Sequence, residues 1–428
     1  MRFWPVALGC VLIVGCGKAD EGHTMRVTNW GGAGDDGPMA QLVLRKNKEF
    51  EVQTQTRVKI EGIPSEYVPK MLLNFAAGTQ PDVMVVDASS AAVFVKNDML
   101  QDLRPFFAKD PDFRINDYFQ NVLKTFASDD GAIYAIPNDF TPMVLYYNRD
   151  LFDRAGVSYP TEAWTFADFR AAALKLTKRD ASGKATQYGF SFTNWMPGWC
   201  MWIWNNDGNI LNPEETHAGG IFDSKQNVET FTFLRDLINR DGVAPSLSQA
   251  ASMGVDPFVN GNAAMTISGH WSLTDYKNAK QIDWKRLGVA SVPHQTPRSN
   301  TVLYLSGYGI PKGAKNPDLA WKYVKYWTSA AVQREYQTSG IAVCARRDVA
   351  GERAGKYVEQ LDPSQKLESM FLPIIPTGRP PAGASVPGYD VVEKIGTSAM
   401  QSILNGADVQ QTLSDAANRI DREFAKSK

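Results

Sequence analysis

Histidine and cysteine are scarce in this chain, four of each in 428 residues. The histidines His23, His217, His270 and His294 stand far apart, and there is no H-E-x-x-H and no G-x-S-x-G. Two common routes to hydrolysis therefore have no footing. The cysteines Cys10, Cys16, Cys200 and Cys344 show no metal-ligand spacing, so neither a metal nor a cofactor is expected. Charge of one sign is also lacking. Lys and Arg total 45 against 46 Asp and Glu, which excludes the basic footprint of a nucleic-acid binder. The longest apolar run at the N-terminus, Val6–Gly15, is too short to cross a bilayer as a helix.

What is present is a globular composition, 43% hydrophobic and 21% charged, in a chain too long for one ordinary core. Two domains are expected. Aromatic residues are the outlier, with 11 Trp, 15 Tyr and 21 Phe. Met1-Arg2 followed by the short apolar run reads as an export signal. Its end, Leu12-Ile13-Val14-Gly15-Cys16, resembles a bacterial lipobox. That implies a signal peptide over 1–15, lipid attachment at Cys16, a tether over 16–24, and a protein held on the outer side of a bacterial membrane. Each buried CH₂ of an acyl chain contributes about 0.8 kcal/mol, so stable anchoring takes more than one chain. Cys200 and Cys344 remain; an oxidising compartment permits a bridge, but two buried thiols are the expected state.

Strand-like and helix-like segments alternate. Met25–Asn29, Val58–Glu61 and Pro81–Asp87 read as strands, and Pro38–Phe50 and Tyr67–Ala77 as helices. This is an α/β pattern with mostly parallel sheets, in which ligands bind beyond the carboxyl ends of strands. The loops after Asn29 and Val86 are selected. Thr165 with Asp168 reads as a capping box, Asn316-Pro317 as a helix start, and Val409, Leu413, Ala416, Ile420 and Phe424 as one helical stripe. Gly32-Ala33-Gly34-Asp35-Asp36-Gly37 matches G-x-G-x-x-G, but Asp35 and Asp36 would oppose a pyrophosphate. The loop is read as the polar edge of a neutral-ligand cleft. Asn205-Asn206-Asp207-Gly208 fails as a calcium loop, because its first ligand position would be Ile203; it reads as a turn. Trp195, Trp199, Trp202 and Trp204 are crowded together, and helical spacing puts the first three on one face. That face is either core or an aromatic ligand wall.

The stretch Gly131–Trp164 sets an apolar run (Ile133–Ile136) before Pro137-Asn138-Asp139 and a second run (Met143–Tyr147) before the turn Asn148-Arg149-Asp150. Two such runs around a polar step suggest a crossing between structural units. The passage resembles the signature of family 1 extracellular solute-binding proteins, the ligand receptors of sugar ABC importers. GTQPDVMVVD (Gly78–Asp87) is similar to that family's Gly-x-x-Pro-Asp strand. Phe258–Met265 is similar to its Phe-x-x-Gly-Lys-Ala-Ala-Met motif, with Asn262 in place of Lys. Gly307-Tyr308-Gly309-Ile310 with Asn316–Trp327 resembles its return crossing. Cys344-Ala345-Arg346 departs from the usual Pro-x-Arg.

The resemblance implies a two-lobed, hinged α/β fold of the periplasmic-binding-protein type (type II). Lobe one would hold 25–141 and 303–345, and lobe two 142–302 and 346–428. It implies a non-enzymatic receptor that binds a neutral mono- or oligosaccharide between the lobes and passes it to the membrane permease subunits of an ABC transporter, as a monomer. The expected ligand contacts are Trp30, Asp36, Asp87, Ser89, Asp139, Thr141, Trp199, Trp202, Trp271, Tyr308, Arg379 and Tyr389. Trp271 would be the main platform, and Trp195 and Trp204 are as readily structural. Indole faces stack on the C–H faces of sugar rings while carboxylates and amides bind the hydroxyls. The alternatives are a charged solute such as a glycerol phosphodiester, served by Arg379 or Arg346, and a secreted glycan-acting hydrolase using Asp87 and Asp139.

Overall fold

The computed structural model describes residues 24–30, 38–63, 66–128, 130–253, 256–338, 343–350, 371, 374, 377–384 and 388–426. Cys16 and the Gly32–Gly37 loop, with Asp36, lie outside them, as do the side chains of Ser89 and Tyr389.

The fold is mixed α/β, with two principal sheets among the described residues. The chain opens with β1 (Thr24–Asn29) pairing in parallel with β2 (Arg57–Gly62), and a bridge from Val27 to Val83 leads to β3 (Met84–Asp87). The first large sheet is built on β4 (Ile136–Pro142) and β10 (Thr301–Gly309), with β11 (Val343–Cys344) outside β4. Both β3 and the short β12 (Gly378–Arg379) pair with β10, at opposite ends of it. The second sheet runs β8-β5-β9, from β5 (Val144–Asn148), β8 (Met265–Ser268) and β9 (Leu287–Ala290). A small hairpin, β6 (Lys178–Arg179) with β7 (Ala185–Gln187), stands apart.

Mostly parallel sheets were expected, and the pairs at the centre are antiparallel instead. The reason is topological. β10 returns from the second sheet and enters between β3 and β4, so it runs against both. The polar step Pro137-Asn138-Asp139 is not a break either. It lies inside β4, where Pro137 faces Gly307 beside a register shift between Ser306 and Gly307. A proline has no N–H to give the ladder and is tolerated at such an irregularity.

The two sheets are stitched at one point. A single residue, Met143, separates β4 from β5. Its N–H donates to the Val302 carbonyl (3.0 Å), and the Thr301 hydroxyl donates to the Met143 carbonyl (2.5 Å). Short crossings of a few residues are where hinge motions are absorbed. Past Cys344, Arg346 binds Asp117 (2.7 Å) and Arg347 reaches the Asn116 carbonyl.

The helices form where their signals stand. Thr165 and Asp168 make the reciprocal box that starts Phe166–Leu176. Asn316 accepts from the Leu319 N–H ahead of Pro317–Trp327, and Val409–Lys426 buries the predicted stripe. Cys200 and Cys344 are free and buried.

Candidate ligand-binding cleft

The site is built on β10. Ser306 is paired with Asp87 of β3 on one side and with Asp139 of β4 on the other, and Tyr304 is paired with Thr141. Residues directly opposite across antiparallel strands share a face, as do residues two apart. One sheet face therefore carries an aromatic ring at Tyr304 and a hydroxyl and two carboxylates at the level of Ser306.

Asp139 is held by its neighbours. Its Oδ2 accepts from Asn138 Nδ2 (2.8 Å), Ser306 Oγ (2.8 Å) and Tyr336 Oη (2.7 Å). Burial raises its pKa, against the lowering effect of those three donors. Gln333, from the helix Ala330–Thr338, donates to Asn138 Oδ1 (2.9 Å) and fixes the strand from below. Asp87 has a structural duty as well. It caps the helix Ala88–Lys96, its Oδ1 accepting from the Ser90 N–H (2.6 Å) while Ser90 Oγ accepts from the Asp87 N–H (3.0 Å). Thr141 is buried.

The second sheet supplies the aromatic wall. β8 leads to Gly269-His270-Trp271, and the loop is anchored because Tyr146 of β5 donates to the Gly269 carbonyl (3.0 Å). A Cβ at Gly269 would lie 2.2 Å from the Trp271 ring, so only glycine lets the indole fold against this backbone. That is a physical reason for a glycine two residues ahead of this tryptophan. Trp271 keeps 37% of its surface exposed, rare for Trp here. It meets Tyr304 edge to face (5.8 Å, 87°) and Trp195 likewise (6.3 Å, 70°), while Trp195 stacks on Tyr304 (5.3 Å, 29°). The Trp195 indole N–H donates to Glu393 Oε1 (3.0 Å), on the helix Tyr389–Leu404. A cavity of about 410 Å³ opens beside this trio. Val68 and Val93 line it from one side, and Trp195, Glu393, Lys394 and Thr397 from the other. Trp30, 39% exposed, closes β1 with its ring against Tyr67 (6.2 Å, 60°).

Several expected contacts are elsewhere. Trp199 and Trp202 are buried in the core of the helix Met196–Trp204: Trp199 packs on Phe231 and bonds Asn194, and Trp202 lies among Phe166, Phe169 and Phe190. That helix buries nearly all of its side chains, and neither Trp199 nor Trp202 lines the cavity beside Trp195. Trp195, read as no less readily structural, stays partly exposed. The signal was Pro197, a first-turn residue that starts the helix at Met196 and leaves Trp195 extended ahead of it. Tyr308 is also core, between Tyr323 and Trp327. Arg346 is bound to Asp117 and Asp348. Arg379 lies over the Trp204 ring, its Cζ 3.9 Å from the centroid, and lines other cavities than the one beside Trp195. Tyr304 and Glu393 carried no sequence signal that singled them out.

Residues 47–353 match the family of bacterial extracellular solute-binding proteins. The chain belongs to that family. Its members are binding proteins, not enzymes, and act outside the cytoplasm. A putative binding protein of Brucella abortus is 24% identical over the full length of both chains. The maltodextrin-binding protein of Bacillus subtilis is 26% identical over 65% of this chain and 64% of its own. In structure, the fold is shared with an ABC substrate-binding protein from Listeria monocytogenes in complex with cycloalternan, with a TM-score of 0.81 at 23% identity over 95% of this chain and all of that one.

Proposed function

We propose that this protein is the substrate-binding component of an ABC importer and binds a neutral mono- or oligosaccharide between two hinged lobes. The observation that carries the reading is the trio Trp195, Trp271 and Tyr304, a partly exposed aromatic surface where the two sheets meet, beside the carboxylate-bearing face of β10. Aromatic faces take the C–H surfaces of sugar rings, and carboxylates take the hydroxyls with charge-assisted hydrogen bonds. The wall beside the trio contains Asp390 and Glu393 against one Lys394, which suits a neutral ligand better than an anion. The Listeria and Bacillus relatives, described with cycloalternan and maltodextrin, support a carbohydrate.

Lobe one is assigned to about 25–141 and 303–345, lobe two to the remainder, with Met143 and Thr301–Val302 as hinge strands. Ligand touching both lobes favours the closed state by its differential affinity. Trp30, Asp87, Ser89, Asp139, Trp195, Trp271, Tyr304 and Tyr389 are the proposed contacts. Export and lipid attachment at Cys16 would hold the receptor near its permease. A thermal-shift screen across neutral sugars, sugar phosphates and glycerol phosphodiesters tests the reading. A neutral sugar should raise the melting temperature; a response confined to the phosphorylated compounds would replace it with a charged solute.

A further inference from the structure

The Trp-rich helix Met196–Trp204 has a functional-looking indole at each end. Trp195, just before it, joins the trio. Trp204, its last residue, lies about 13 Å further along the axis at 1.5 Å per residue. The guanidinium of Arg379 is stacked on Trp204 and borders two cavities, of about 920 and 640 Å³. Neither cavity shares a lining residue with the cavity beside Trp195. The helix Ala88–Lys96 divides them: Val93 faces the trio's cavity, and Ala91, Ala92, Val95 and Lys96 face the large one.

The charge in these cavities is one-sided. Lys96, Lys124 and Arg379 line the larger, and Arg298 joins Arg379 in the smaller; the acids are Glu215 and Asp207. None of the four cations makes an ion pair with a described residue. By contrast Arg26, Arg45, Arg104, Arg170, Arg286 and Arg346 are each ion-paired. A planar guanidinium held by stacking presents its edge as a fixed fork, matched to oxyanions. Lys96 and Lys124 come from segments flanking β3 and β4, whereas Trp204 ends the helix that Trp195 precedes. Arg379 itself pairs with Val302, at the crossing between the sheets.

We propose that Arg379, with Lys96 and Lys124 across the cavity and Arg298 beside it, forms a second ligand site, for a small phosphate-type oxyanion, separate from the sugar cleft. An anion there touches both sides of the molecule at the crossing, so its occupancy couples to hinge position. This site does not require the sugar reading, and its test reads it directly.

The test is calorimetric titration of the full-length protein with inorganic phosphate and with glycerol phosphate, at low and high salt. Binding should weaken as salt rises. Arg379→Ala should weaken it at least tenfold, and Arg379→Lys, which keeps the charge and the fold but not the fork, by several-fold. Affinity for a sugar identified in the screen should be unchanged in both variants, and Trp271→Ala should leave phosphate binding intact. No heat with phosphate, or equal binding in Arg379→Ala and the native protein, overturns the proposal. So does displacement of phosphate by sugar at a single shared site. Association with anionic vesicles without a response to free phosphate overturns it too, by assigning the cations to a membrane surface.

Discussion

Replacing Trp271 with Ala separates ligand binding from folding most cleanly. An indole side chain offers up to about 250 Å², and with 37% still exposed, roughly 90 Å² is left for a ligand to cover. At about 25 cal/mol per Å², covering most of that area contributes about 2 kcal/mol, which is roughly thirtyfold in affinity. The two edge-to-face contacts with Trp195 and Tyr304, about 0.5–1.5 kcal/mol each, add to what the buried part of the ring contributes to stability. Trp199→Ala is the counterpart. Trp199 is fully buried, and removing such a side chain costs about 3–5 kcal/mol of stability. Calorimetry with the sugar from the screen, alongside thermal melts by circular dichroism, reads both. Trp271→Ala should lose affinity, with a drop in melting temperature smaller than that of Trp199→Ala, whose whole side chain is buried. Native affinity in Trp271→Ala refutes the platform, and an unaltered melt in Trp199→Ala refutes the packing argument.

Three further outcomes are expected. Glu393→Ala frees the Trp195 indole and should weaken sugar binding several-fold, whereas Glu393→Gln, which still offers an acceptor, should retain most of it; equal affinities in calorimetry would show that the bond does not position the ring. Asp139 has a raised pKa because burial disfavours its charge, so the unfolded chain releases the proton first as pH climbs above about 3.8, and this residue's contribution to stability falls through that window and stays lower at neutral pH. Asp139→Asn removes the titration, so urea unfolding should show the variant faring better relative to the native protein at pH 7 than at pH 4; an identical difference at both values contradicts the assignment. Cys16→Ser should leave the protein unprocessed or free of the membrane fraction, and normal processing with unchanged membrane association would defeat the anchor.

Fold and cleft were legible to different depths. The helix starts at Thr165 and Asn316 could be read because a cap is a local event, settled by three or four neighbouring residues. The crossing at Met143 was visible as an apolar–polar–apolar pattern, but the strand through Pro137 was not, since what accommodates that proline is the shift at Ser306/Gly307, far away in sequence. Trp271 was legible through the resemblance alone, and the close approach of Gly269 to its ring, two residues away, is the local contact behind that spacing. Trp199 and Trp202 were misplaced for the opposite reason. Helical periodicity gives a face but not what covers it, and here neighbouring elements cover every face. Tyr304 and Glu393 reach the site only through long-range register and helix packing. Asp139 was legible as a polar residue near a crossing, while its three donors come from Asn138, Ser306 and Tyr336.

The most direct test of the central claim is a crystal structure of the protein with the neutral sugar that gives the largest thermal shift. The account predicts a sugar ring on the face of Trp271, bounded by Trp195 and Tyr304, with hydroxyls reaching carboxylates of the β3-β10-β4 face, so that both sheets touch one ligand. A sugar bound elsewhere, or held by one sheet alone with the trio uncovered, would contradict it.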